Sequence, residues 1–209
     1  MNTQSKENLK LERMSSFFAA RVNGYDTHML NNVEGCKEGY WTMASLIPQN
    51  AKTLLDLGCG TGLELDAIFA RLPDVWVTGI DLTKEMLDVL KHKHPDKNME
   101  LICGDYFEVD FGRKRFDCAV SFESLHHFAK EKKAALYQRV FDALVLDGCY
   151  VECDYMVETE AEEAYFFSEN ERLRRVVGAE ANTYYHYDTP CTIENQIKLL
   201  SDVGFSTVE

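Results

Sequence analysis

Residues 54–62, Leu-Leu-Asp-Leu-Gly-Cys-Gly-Thr-Gly, constrain this chain more than any other stretch. Leu54 and Leu55 close a short apolar run of the kind that forms a buried strand. Gly58, Gly60 and Gly62 then force a tight turn, since only glycine takes positive φ freely and lets a ligand approach the backbone. Leu63, Leu65, Ala67, Ile68 and Leu72 follow at helical spacing. Strand, glycine turn and helix together build a nucleotide-type site at the carboxyl end of a parallel strand.

The rest of the chain repeats this rhythm. Strands are expected at residues 53–57, 75–81, 99–103, 116–121 and 149–155. Helices fall between them, with Thr83 capping one that buries Met86, Leu87 and Leu90. Residues 130–144 form another, with Ala134, Leu136, Tyr137, Val140, Phe141 and Leu144 inward, and Asp147-Gly148 marks a turn. The fold class is therefore α/β, a doubly wound, mostly parallel sheet. Residues 1–50 read as a helical cap over the sheet, polar to about residue 14, with apolar faces around Phe17–Tyr25 and Gly39–Ile47. Residues 157–188 read as a helical and aromatic insertion. A last helix over 192–203 turns Ile193, Ile197, Leu199, Leu200 and Val203 inward, Gly204 fits its C-terminal cap, and residues 205–208 begin a strand. All 209 residues are expected in one domain.

The net charge of −13 argues against a nucleic-acid backbone as the main partner, because each phosphate contact wants a cation. Arg172, Arg174 and Arg175 form either a basic patch or, the commoner meaning, a solvated helix face. The seven cysteines are irregularly spaced and lack a C-x-x-C pair, and Cys59, Cys103 and Cys118, in or beside apolar strands, read as small core residues of a reducing compartment. No stretch is long and apolar enough for a membrane span, and a cytoplasmic location is the expectation.

Asp56 gives the glycine turn its chemical direction. A carboxylate two residues before Gly58 repels a pyrophosphate and favours a ligand carrying an ammonium and a sulfonium. The spacing is G-x-G-x-G, not the G-x-G-x-x-G of dinucleotide sites. The run D-L-G-C-G-T-G resembles motif I of the class I S-adenosylmethionine-dependent methyltransferases. Such a sheet normally carries seven strands, so the resemblance implies a final strand that this sequence lacks.

Further positions agree in order and strand context. Asp81 ends the second strand, where an acidic side chain can take both ribose hydroxyls; its alternative is a helix N-cap. Gly104-Asp105-Tyr106 ends the third, the corner that in the family meets adenine. Phe116–Ser121 resembles motif IV and places Ser121 beneath the methionine part of the cofactor. Tyr25 resembles the segment that closes over the cofactor, or else packs on the sheet edge. With Gly58, Cys59, Gly60, Leu82 and Tyr106, these residues make up the implied S-adenosylmethionine site.

Ser124-Leu125-His126-His127-Phe128 resembles the small-molecule branch and lacks the N-P-P-Y of nucleic-acid amino methylation. His126 and His127 are the catalytic candidates, as bases for a protonated acceptor, against a plain packing role. No metal is expected, since adjacent histidines such as these, with Glu123, usually point apart. Phe166, Phe167, Tyr184, Tyr185, His186 and Tyr187 are expected to line the acceptor pocket or else form a core cluster. The implied function is methyl transfer to an O, N or C nucleophile of a small molecule. The rivals are a cofactor-binding protein without turnover, an RNA or protein methyltransferase, and an NAD-dependent oxidoreductase.

Overall fold

The computed structural model of the chain describes residues 11–180 and 183–209. The polar start expected over residues 1–14 lies mostly outside them. Five strands form one sheet: β1 (Thr53–Leu57), β2 (Trp76–Asp81), β3 (Met99–Cys103), β4 (Phe116–Phe122) and β5 (Leu144–Cys153). Their order is β3-β2-β1-β4-β5, and every pairing is parallel. β1 sits in the centre and is buried along nearly its whole length because both of its faces are covered.

Helices cover the two faces. On one, α3 (Cys36–Leu46), α4 (Leu63–Arg71) and α5 (Lys84–Lys93) bury Tyr40, Met43, Ile68 and Leu90 against Leu54, Val77 and Val120. On the other, α6 (Lys130–Ala143) buries Leu136, Tyr137 and Val140 against Leu55, Leu57 and Ala119. Two further helices precede these, α1 (Met14–Arg21) and α2 (Tyr25–Asn32), joined by a 3₁₀ turn at Val22–Gly24. The chain closes with α7 (Glu160–Val177) and α8 (Ile193–Val203). A capping box, Thr159 with Glu162, starts α7.

Several expectations need correction. Phe205–Val208 is not a strand; Phe205 stacks edge-on against Phe141 at 5.1 Å. Phe141 is consequently half-exposed on α6 rather than inward, one position off the buried stripe. On α8, Ile193 and Ile197 face solvent, and the buried residue is Gln196. Its amide donates to Glu152 Oε1 at 3.0 Å, within a buried group where Tyr137 and Tyr150 also donate to Glu152. β5 begins at Leu144, and Asp147-Gly148 is a bulge inside the strand, with Asp147 at φ 63°. Thr83 holds the N-cap position of α5, but its hydroxyl makes no capping bond.

Candidate active site

The carboxyl ends of β1, β2 and β4 meet at the glycine turn. Gly58, Gly60 and Gly62 all take positive φ, at 80°, 45° and 75°. The Gly58 and Cys59 N–H groups donate to Ile80 O at 2.8 and 3.2 Å. Asp81 locks the turn from the neighbouring strand: Oδ2 accepts from Gly60 N–H at 3.0 Å, and Oδ1 accepts from Thr83 N–H at 2.7 Å. Asp81 thus fixes the backbone of the N-cap residue Thr83, while no side chain makes the capping bond expected of the Thr83 hydroxyl. Each of its oxygens keeps a further lone pair for a ligand hydroxyl.

A cavity of about 50 Å³ opens beside this turn, lined by Tyr25, Gly58, Gly60, Asp81, Leu82 and Tyr106 among others. Six of the ten expected cofactor residues therefore come together. Asp56, Cys59 and Ser121 are buried behind that wall. Asp105 is engaged elsewhere: Oδ2 accepts from Tyr184 OH at 2.8 Å and Oδ1 from Phe107 N–H at 2.8 Å. Small-molecule sites occupy roughly 300–1,000 Å³, so this cleft is closed. Met14 and Phe18 of α1 fill it.

The electrostatics are strongly acidic. Burial, with the charge of Asp81 added, pushes the Asp56 carboxyl up to about 7. Burial and the charge of Asp56 raise Glu64 well above the usual carboxylate range. The two carboxyls share a side-chain hydrogen bond, and no donor from any other described residue reaches the Asp56 oxygens. Asp81 is raised too, by burial, against the pull of its two backbone donors.

A second cavity, of about 740 Å³, adjoins the first. The two share Phe18, Tyr25, Glu123 and His127. Phe17, Arg21, His28, His126, His186 and Asp188 add to the wall of the larger one. Of the six aromatic residues expected there, only His186 is on it. Tyr184 instead packs over Phe107 and Phe128, at 6.0 and 5.2 Å.

His126 and His127 do not point apart; their ring centroids are 4.0 Å from each other. His126 Nδ1 makes a short bond to Asp154 Oδ1, whose carboxylate also accepts from Leu125 N–H at 3.0 Å. Burial alone would strip the proton from His126, but the charge and hydrogen bond of Asp154 hold its pKa up at about 10. His127 goes the other way, lowered by burial and by the charge of His126. His186 falls to about 4 for the same two kinds of reason, burial and the neighbouring His127. At neutral pH His126 carries a second proton, and only His127 of the pair is free to accept one.

Sequence reasoning passed over Asp154 and Asp188 here, and weighed Glu123 only as a discounted metal ligand. Glu123 ends β4 at φ 47°, a conformation uncommon outside glycine, and burial raises it to about 7. Asp154 follows β5 and Asp188 follows the aromatic run. The available signal was topological, because carboxylates just past parallel strands lie at the site edge.

Residues 54–148 match the family described as methyltransferase domain. The chain carries a class I S-adenosylmethionine-dependent methyltransferase domain. Similar proteins include the carboxy-S-adenosyl-L-methionine synthase of Helicobacter hepaticus, 27% identical over 85% of this chain and 76% of that protein. The O-methyltransferase cnsE of Penicillium expansum is 35% identical over 44% of this chain. A malonyl-[acyl-carrier protein] O-methyltransferase of Priestia megaterium is 32% identical over 37% of it. The chain spans only 34% and 30% of the length of these last two. In fold it resembles human N-acetylserotonin methyltransferase in complex with S-adenosylmethionine, with a TM-score of 0.60 at 17% identity over 92% of this chain and 50% of that one. The DhpI-SAM-HEP complex gives 0.62 at 16% identity over 90% and 86%.

S-adenosylmethionine is the cofactor of this methyltransferase domain, and the donor set fits it. Asp56, Glu64, Asp81 and Glu123 surround the turn with carboxyl groups that suit a sulfonium and an ammonium and repel a pyrophosphate. The buried pair of carboxyls, Asp56 and Glu64, is the clearest sign of a site built for positive charge. When bound, the cofactor supplies an electrophilic methyl group. The residues around it orient that group and exclude water.

Proposed function

We propose that this chain transfers the methyl group of S-adenosylmethionine to an oxygen, nitrogen or carbon nucleophile of a small molecule seated in the 740 Å³ cavity. The observation that carries this reading is the wall of Phe18, Tyr25, Glu123 and His127 common to both cavities. A methyl group on one side of it and a nucleophile on the other are neighbours. Displacement at a sulfonium carbon releases a neutral thioether, so proximity and alignment are the main demand on the protein. Tyr25 covers the sulfonium, whose charge an aromatic face attracts. Asp81 and Asp105 take the ribose and adenine, with Tyr184 leaving Asp105 as they enter. Residues 1–50 act as the cap, and α1 withdraws to admit the cofactor. His126 and His127 present the acceptor atom.

The mix of aromatic, imidazole and guanidinium groups on the cavity suits an amphipathic acceptor, and the net charge of −13 disfavours RNA. No described helix is long and apolar enough to cross a membrane. Seven free thiols accord with a cytoplasmic setting.

A second reading is favoured by the synthase match, which extends over 85% of the chain, well beyond the matched family segment. There the cofactor itself would be altered and gain a carboxyl group. One experiment separates the two: incubate the protein with S-adenosylmethionine and a cell-extract fraction of small molecules, and follow the cofactor by mass spectrometry. Accumulation of S-adenosylhomocysteine supports methyl transfer. A heavier, carboxylated cofactor supports the second reading. An unchanged cofactor across all fractions refutes both.

A further inference from the structure

His126 and His127 meet a third donor at the cavity wall. Asp188 Oδ1 lies 3.5 Å from His126 Nε2 and 3.3 Å from His127 Nδ1. These separations are long for charge-assisted N–H···O bonds, which close to about 2.7–2.9 Å. They match the edge of a coordination polyhedron instead: donors about 2.1 Å from a tetrahedral divalent cation lie about 3.4 Å apart. The donor atoms of all three residues lie within 4.8 Å of one another. We propose that His126 Nε2, His127 Nδ1 and Asp188 Oδ1 bind a divalent first-row transition-metal ion on the wall of the larger cavity.

The surroundings carry the features such a site needs. A metal-bound imidazole normally gives its other N–H to a carboxylate, which fixes the tautomer. Asp154 does this for His126, engaging Nδ1 while its other oxygen is held by Leu125 N–H. The Nε2 lone pair is thereby turned toward Asp188, and a metal there takes the place of a proton. His127 Nδ1 also lies 3.3 Å from the backbone carbonyl of Tyr187, a long hydrogen bond that metal binding would replace by removing the Nδ1 proton. Thr189 donates to His126 O from both N–H, at 2.6 Å, and Oγ1, at 3.0 Å. That pins the segment bearing Asp188 against the segment bearing the histidines. Two imidazoles and one carboxylate leave coordination positions open, and these face the cavity. Glu123, His126 and Asp154 form an alternative trio, but it uses the His126 nitrogen already taken by Asp154.

A role for the metal rests on the proposed function: its open positions would hold an acceptor through an oxygen donor and weaken that donor's hold on its proton. Both imidazoles then serve as ligands, and neither needs to act as a base.

The test is metal binding by the full chain after chelator treatment. Co²⁺ titration followed by visible absorption, and Zn²⁺ titration by calorimetry, should each give one equivalent that is lost in Asp188→Ala. Asp188 has a side chain 42% exposed, so the fold should tolerate the change. Circular dichroism checks this, and Asp188→Asn, which keeps the shape, should weaken binding by the same order. Asp154→Asn should lower Zn²⁺ affinity about 10–100-fold. S-adenosylmethionine binding is titrated on the same samples. Failure of the wild-type protein to bind Co²⁺ or Zn²⁺ while still binding the cofactor would overturn the metal site. So would equal Zn²⁺ affinity in both Asp188 variants and the wild type. Metal binding without cofactor binding would leave the site standing and refute the methyl-transfer reading.

Discussion

Replacing Asp56 by Asn should make the folded protein more stable at neutral pH while weakening its hold on the cofactor. The Asp56 carboxyl is wholly buried, bonds only to the neighbouring carboxyl of Glu64, and is pushed by burial up to about 7 in the folded chain against an ordinary 3.8. Between those two values the folded state keeps a proton that the unfolded state has lost. Stability therefore falls as pH rises through that window and levels off above about 7. At roughly 1.36 kcal/mol for each pH unit, the ionised carboxylate costs the fold on the order of 4 kcal/mol at pH 8. An asparagine has no proton to lose. Its buried amide shifts the variant's stability by an amount that does not change with pH. Urea unfolding of both proteins from pH 4 to 8 should give curves that converge toward the acid end and diverge toward pH 8, with the variant gaining. Titration with S-adenosylmethionine at pH 8 should show weaker binding by the variant, since under the proposed function the negative charge behind the cavity wall attracts the cofactor's cation. Parallel unfolding curves would refute the reasoning.

Other substitutions probe the cleft. Gly58→Ala places a Cβ on Ser124 Oγ at φ 80° and should cost about 1–3 kcal/mol, read as a lower melting temperature together with lost cofactor binding. An unchanged melting temperature would contradict the described turn. Asp81→Ala removes the acceptor for Gly60 N–H and Thr83 N–H, and should weaken S-adenosylmethionine about 10–100-fold in calorimetry, as befits loss of hydrogen bonds to a charged group. Equal affinity would remove Asp81 from the site. Phe18→Ala empties part of the closed cleft and should speed cofactor association in stopped-flow fluorescence; an unchanged rate would show that α1 does not gate entry.

The elements that build the cofactor side were legible because their signals are local. The apolar run before Gly58 and the three glycines act within a few residues of where they stand, and Asp81, which reaches across to Gly60, is marked by its place at the end of a short apolar strand. The bounds of β1 and β3 were read as observed for the same reason. The acceptor side was not legible, because its chemistry is assembled from distant segments. Asp154 and Asp188 meet His126 only after β5 and the 183–192 segment have folded back. The aromatic run at 184–187 promised a pocket wall, yet Tyr184 turned inward to Asp105 and left the wall to α1 and α2. On α8 periodicity held for Leu199, Leu200 and Val203, which pack against the core, and failed for Ile193 and Ile197, because the amide of Gln196 turns inward to reach Glu152. Phe205 read as a strand start because β-propensity cannot tell a pairing residue from one that docks on a helix.

The two grips on residues 183–192 bear on how such a protein can change over generations. Thr189 holds the carbonyl of His126 through two donors, and Tyr184 holds Asp105 while its own carbonyl accepts from Met14 N–H. One short stretch thus touches the Asp105 corner, the helix at Met14 and the histidine segment at once. It cannot serve as an exchangeable cassette. A chimera that borrows this stretch from a relative alters the fit of the cofactor as well as the acceptor, so new acceptors should arise here by paired substitutions across the joint rather than by loop replacement.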